Sequence, residues 1–265
     1  MIISSDSNKT RYVSQAHHSD CVGQIAAAWG NEDFATPAPR DSMLRLAFEH
    51  DLAWAQEDIS PTWNEAQGIP HDYITLPYDT HIAIYQNGTQ QTASKDPYAG
   101  YLLSMHGVGI YNKRFGTDPG QIRPIRNPEE QTIIDTYIAE EAKFRESLME
   151  DMGSLDSMSE RVIQTNYALM QVWDRLGLLI CKGTCEDFQI GYVPKGYDTD
   201  EKITLNFEYM GEHRYKICPY PFTEKEVDFS VLSRVIDDPE IGSYSEYMNA
   251  LATSPRELLA FRFSG

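Results

Sequence analysis

Apolar residues first recur at helical spacing between His17 and Trp29. His18, Val22, Ile25, Ala26 and Trp29 fall on one face, and Gly30 stops the run. Ahead of it, Met1 to Ile3 and Arg11 to Ser14 read as short strands around a polar Asp-Ser-Asn-Lys turn. A second helix is predicted from about Asp41 to Glu57, with Met43, Leu46, Ala47, His50, Ala53 and Trp54 as its stripe and Leu44 and Asp51 alongside. Residues 58–77 carry three prolines and Gly68 and read as a long loop. Pro77 opens a short predicted helix with Tyr78, His81, Ile84 and Tyr85, closed by Asn87-Gly88. Asp96-Pro97 supplies a cap and a first-turn residue for the next, whose stripe is Ala99, Leu102, Leu103, His106 and Ile110. A loop bearing Gly, Pro and Arg spans 116–128, and a charged, exposed helix follows over 128–151. Met152-Gly153-Ser154 breaks the run before a helix over 158–181, with Ile163, Tyr167, Met170, Asp174, Leu178 and Cys181 on one face.

After Gly183 the texture changes. Segments 187–193, 202–209, 213–218 and 227–232 are rich in β-branched and aromatic residues and read as strands. A short helix from Glu240 to Ala252 and a last strand from Leu258 to Phe263 complete the reading. The expected fold is mainly α. A helical core fills residues 1–182, N-terminal strands included, and a β-rich part over 183–265 packs on it as one unit, open to pairing with those strands.

Composition narrows the partners. The 265 residues, 41% apolar, are enough for a sizeable core. Forty acidic against 22 basic residues leave a net charge of −18, which argues against nucleic acid and anionic membranes as general partners. A small anionic substrate stays open, because a metal centre inverts the local potential. Cys181 and Cys185 lack a second close pair, so a structural role is the expectation for Cys21, Cys181, Cys185 and Cys218. No apolar stretch approaches the roughly 20 residues of a spanning helix, and no basic segment leads into an apolar one. A soluble cytoplasmic protein is expected.

The polar residues that interrupt the apolar stripes carry the chemistry. His18, His50, Asp51, His81, His106 and Asp174 each lie on or beside the buried face of a predicted helix. A carboxylate there needs a cation, several donors or a metal, and neither Asp51 nor Asp174 has a Lys or Arg one turn away on its own face. Arg175 is adjacent to Asp174 but points elsewhere on an ideal helix. His50 and Asp51 lie about 100° apart on such a helix, so both reach one cluster. By contrast, His71-Asp72 follows Gly68-Ile69-Pro70 and reads as a solvated turn. A nitrogen and oxygen ligand set without thiolate suits iron, manganese, zinc or nickel, with two ions expected.

The order His…His-Asp…His…His…Asp over successive helices resembles the HD-domain superfamily of metal-dependent phosphohydrolases. Its single-metal pattern maps onto His18, His50, Asp51 and Asp174, and the dinuclear branch adds His81 and His106. At a closer level the chain resembles a bacterial family called DUF3891. The matching segments are Gln15-Ala16-His17-His18, His50-Asp51 through Trp54 to Asp58 and Pro61, Asp96-Pro97-Tyr98-Ala99, Leu103-Ser104-Met105-His106-Gly107, Val172-Trp173-Asp174-Arg175-Leu176 and Pro219-Tyr220-Pro221-Phe222. Leu52-Ala53-Trp54 stands where many dinuclear members place Gly-Lys, a departure that weighs against cyclic-dinucleotide cleavage.

The resemblance implies hydrolysis of a small phosphate ester or related molecule by a metal-activated water, with Asp51 as the catalytic, ion-bridging carboxylate. It equally admits a diiron oxygenase that cleaves a carbon–carbon or carbon–phosphorus bond on the same ligands. A non-catalytic metal or ligand-binding module is the third reading. Arg11, Lys113, Arg114 and Lys182 flank ligand-bearing segments and are candidates for holding a phosphate, or ordinary surface charges. Tyr78, Tyr85, Trp29, Trp54 and Tyr167 are candidates for lining a pocket or for plain core packing.

Overall fold

The computed structural model describes residues 1–6, 9–117, 123, 127–153, 159–237 and 243–265. A hairpin of β1 (Ile2–Asp6) and β2 (Lys9–Val13) leads into α1 (Gln15–Ala28), where the Ser14 hydroxyl accepts from the His17 N–H at 3.1 Å. Then come α2 (Arg40–Glu49), a 3-10 turn at Leu52–Trp54, the short α3 (Ala55–Ile59) and a two-residue ladder of β3 (Trp63–Asn64) with β4 (Ile69–Pro70). The helices α4 (Tyr78–Ala93), α5 (Pro97–Gly109), α6 (Pro128–Met152) and α7 (Glu160–Cys181) follow. Strands β5 (Phe188–Pro194), β6 (Lys202–Tyr209), β7 (Arg214–Cys218) and β8 (Glu226–Asp237), helix α8 (Tyr244–Thr253) and strand β9 (Arg256–Ser264) complete the chain.

The expectation of a mainly α protein with a β appendage does not hold. About half of the chain is helical, and seven strands join in one large sheet in the order β1-β2-β8-β9-β7-β6-β5. Sequence periodicity finds single strands but is blind to pairings made across more than two hundred residues. The N-terminal hairpin attaches to β8, with Lys9 opposite Asp237 and Tyr12 opposite Arg234. That pairing prolongs β8 past the predicted end at residue 232, since the added residues find a partner for their backbone groups in β2. β9 inserts between β8 and β7, antiparallel to the first and parallel to the second. The predicted helix start at Glu240 lies outside the described residues.

The helices stack on this sheet in layers. α1 packs on β8, and α7 on β5, β8 and β9. Gln24 clips α1 to the sheet by donating to the Ser230 carbonyl and accepting from its N–H, both at 3.0 Å. α2 and α5 lie against α1 and α7, and α4 and α6 lie against α5. One apolar core runs through the junction of sheet and helices, from Val22, Ile25 and Trp29 through Trp173 and Ile180 to Phe207, Phe229 and Phe263. Each side chain of this size contributes roughly 1.5–3 kcal/mol when fully buried. The helix α6, expected to be exposed, buries Leu148 and places Ile134 and Tyr137 in a second cluster with Trp54, Tyr78 and Tyr85.

Two predicted boundaries move for reasons that bear on the site. The second helix is broken: α2 ends at Glu49 and Asp51 leaves helical geometry at φ −116°, ψ 14° before the 3-10 turn. The third predicted helix, α4, runs through Asn87-Gly88 to Ala93, because Gly88 faces Ala53 and not solvent; a Cβ there would stand 3.0 Å from the Ala53 methyl. No helix among the described residues is long and apolar enough to cross a membrane.

Candidate metal centre

Five of the six predicted ligands converge between the two helical layers. His18 of α1 and Asp174 of α7 meet with Nε2 and Oδ1 2.9 Å apart. The helices approach closely there because Gly177, one turn beyond Asp174, leaves room for Val22 and the His18 ring. His50 lies 5.2 Å from His18 and 5.5 Å from His106, centroid to centroid. Two sets bring their ligand atoms within 4.8 Å of one another: His18, His50 and Asp174, and His50, Asp51 and His106. All five residues are buried, His18 completely.

The break in α2 shapes this cluster. His50 directs Nδ1 to the Ala47 carbonyl at 3.0 Å, and since a carbonyl only accepts, that nitrogen carries the proton. Ser19 stands 3.4 Å from the same Nδ1 and accepts from the Asp51 N–H at 3.1 Å, fastening the break to α1. In the neutral ring, Nε2 then presents a lone pair. It lies buried without a hydrogen-bond partner, 3.5 Å from Asp51 Oδ2 and 3.8 Å from Asp174 Oδ1. A nitrogen lone pair and two carboxylate oxygens thus face a common space.

The surroundings set the charge states. Burial alone would raise the Asp174 pKa, but the hydrogen bond from His18 and the imidazoles of His106, His18 and His50 outweigh it, holding the carboxyl well below the usual carboxylate range. Burial pulls His106 well below the ordinary histidine value; Asp174 opposes and Arg114 reinforces the shift. Burial, the nearby Asp51 and Asp174 raise Tyr85, which keeps its proton and donates it to Asp51 Oδ1 at 3.0 Å. Gln171 connects Arg114 to His106: Arg114 Nη1 donates to its Oε1 at 2.6 Å, leaving Nε2 to donate to His106 Nδ1 at 3.2 Å. A neutral His106 therefore carries its proton on Nε2, so its ligation by that nitrogen requires the Gln171 amide to turn.

His81 stands apart from both sets. Its Nδ1 is 2.6 Å from the Tyr111 hydroxyl, and its ring packs edge-on to Trp54 at 5.3 Å. Burial and the charge of Arg123, with His106 and Arg114 beyond, hold it well below the ordinary histidine value. It does border the adjoining cavity. That space of about 380 Å³ is lined by Asp51, His81, Tyr85, His106 and Asp174 together with Arg114, Arg123, Arg175 and Lys182.

The other candidates divide. His17 is exposed and bonded to Ser14, while Asp72 accepts from the Ile74 and Thr75 N–H groups in its own turn. Arg114 and Lys182 border the cavity; Arg11 pairs instead with Ser233 and Glu257 on the sheet, and Lys113 is not among the lining residues. Of the aromatic candidates, Tyr85 reaches the cavity, whereas Trp29 is core, edge-on to Trp173 at 6.0 Å and to Phe222 at 5.7 Å. Arg175, expected to point away from Asp174, borders the same cavity. Ser19, Tyr111, Gln171 and Arg123 escaped the sequence reading. Ser19 and Gln171 are ordinary polar helix residues, and Arg123 lies in a loop where no periodicity marks burial.

A half-helical protein whose helices enclose a buried His/Asp cluster beneath a cation-bordered cavity is the class defined by this fold and site. A family model described as a protein of unknown function, DUF3891, matches residues 1–238, and the chain belongs to that family. No curated protein and no solved structure matches it.

Proposed function

We propose that this protein is a metal-dependent hydrolase that acts on a small molecule held in the cavity beside the His/Asp cluster. One observation carries the reading. The His50 lone pair and the Asp51 and Asp174 carboxylates converge in a buried space with no hydrogen-bond donor for His50 Nε2. Asp174 Oδ1 is already met by His18, but the His50 lone pair and Asp51 Oδ2 face one another with no donor between them, an arrangement that a cation would relieve. The donors are imidazole and carboxylate without thiolate, a set suited to a divalent transition metal such as zinc, manganese, nickel or iron.

His18, His50 and Asp174 would hold a metal ion, and Asp51 and His106, which lie about the same His50, would supply further ligands. The bound metal supplies Lewis acidity that brings the pKa of a water toward neutrality. The chain's own contribution is orientation. Ala47 and Ser19 fix the His50 ring, Tyr85 fixes one Asp51 oxygen, and burial with nearby positive charge keeps His106 and His81 neutral. The ligand order resembles that of HD-domain phosphohydrolases, which supports hydrolysis of a phosphate ester or a related bond; the sheet is this chain's own departure.

Metal analysis of protein purified without chelator, paired with assay of a generic phosphate ester, tests the reading. Bound zinc, manganese or nickel with turnover is expected. A pair of irons giving a mixed-valent signal, with no ester turnover, would replace hydrolysis by oxygen chemistry on the same ligands.

A further inference from the structure

The cavity beside the cluster is lined by several cations in a strongly acidic protein. Arg114, Arg123, Arg175 and Lys182 border it, against the carboxylates of Asp51 and Asp174, which already face the histidines. Arg123 is the exceptional member. It is 6% exposed, and its Nε and both Nη atoms are buried with no close hydrogen-bond partner among the described residues, only the Tyr111 hydroxyl interacting at longer range. It stacks on the Tyr78 ring at 4.2 Å, a contact that steadies the plane of the guanidinium without occupying its N–H groups. A buried guanidinium with no hydrogen-bonded partner is costly, and its five donors in a rigid fork match the oxygens of a carboxylate or phosphate.

The neighbouring Arg114 is held at the same cavity at a conformational cost. Lys113, Arg114 and Phe115 adopt successive φ values of 60°, 53° and 50°, a left-handed run that non-glycine residues rarely enter. The Asn112 side chain accepts from the Phe115 N–H across this turn, and Gln171 accepts from Arg114. The Arg123 backbone N–H donates to the Ile110 carbonyl at 2.9 Å, which fixes this residue beside the end of α5. Two arginines, both more than nine-tenths buried, thus border the same space as the His/Asp cluster.

We infer that Arg123, assisted by Arg114, anchors an oxyanion group of the substrate, so that the substrate is a small anion held in the cavity that these arginines share with the cluster. The placement of its reacting bond rests on the hydrolase reading; the anion site itself does not.

Calorimetric titration of the intact protein with inorganic phosphate and, separately, with glutarate tests the site, with metal content measured on the same samples. Binding of at least one anion is expected, and the tighter of the two identifies the group recognised. Arg123→Met should weaken it about ten- to hundredfold, with wild-type metal content and melting temperature. Arg123→Lys keeps the charge but not the fork and should fall between. The control Arg262→Gln, on the exposed sheet face, should bind as wild type. No binding of either anion at millimolar concentration, or equal affinity in Arg123→Met, overturns the inference. Equal affinity with metal present leaves the hydrolase reading intact, whereas Arg123-dependent binding without metal removes that reading and keeps the anion site.

Discussion

His18 Nε2 lies 2.9 Å from Asp174 Oδ1, although 156 residues separate them along the chain. The contact joins the first helix to the last of the helical run, and Gly177 is what lets the two approach. A Cβ on Gly177 would stand 2.6 Å from Val22 Cγ2 and 3.1 Å from His18 Cε1. Gly177→Ala should therefore destabilise the protein by roughly 1–3 kcal/mol, as overpacking does, and displace the His18 ring. Urea unfolding checks the first effect and metal content the second; a wild-type result in both would remove Gly177 as a spacer.

Asp51 is the carboxylate with the most defined surroundings, held by its own N–H on Ser19 and by the Tyr85 hydroxyl. Asp51→Ala is expected to lose bound metal and activity together. Elemental analysis beside the ester assay decides this, and a variant that keeps both would exclude Asp51 from the centre.

Tyr85→Phe tests orientation separately from ligation. The ring and its packing against His81 and His106 remain, and only the hydrogen bond to Asp51 is lost. Metal affinity or activity should fall about 10- to 100-fold, as for other supporting hydrogen bonds around metals, while stability changes by roughly 1 kcal/mol. Metal titration by competition with a chelator reads the first number and thermal unfolding the second.

Glu141 on α6 supplies a pH dependence away from the cluster. Burial raises its pKa, and the Ser104 hydroxyl and Arg145 oppose the shift without cancelling it. The unfolded chain then releases this proton at lower pH than the folded one. Between the two values the folded state binds more protons, so this group's contribution to stability falls as pH rises above about 4.5. Glu141→Gln should be more stable than wild type at neutral pH and lose that advantage in acid. Urea midpoints at acidic and neutral pH, which should cross or converge on acidification, provide the comparison.

Much of the candidate centre was legible because burial and polarity conflict visibly on a helix. His18 shares a stripe with Val22 and Ile25, and Asp174 shares one with Met170 and Leu178, so an apolar period carrying a ligand-type residue marks each place. The same logic separated His18 from the exposed His17. It misplaced Arg175, because an ideal helical wheel ignores how far a long side chain bends. Arg123, Tyr111 and Ser19 were silent for a different reason: their roles depend on what another segment brings alongside, and neither a loop arginine nor a helical serine announces a partner.

The sequence by itself determined the helices, most strands and the five residues that converge, since these follow from local periodicity and from the cost of burying polar groups. Tertiary structure decided the seven-stranded sheet, the break that turns His50 and Asp51 inward, and the buried arginine wall. Each of these depends on contacts between segments distant in the chain: β2 on β8, Ser19 on the end of α2, and Arg114 on Gln171 of α7. Local preference is neutral to such pairings, and the hydrogen bonds that select them exist only once the chain has folded.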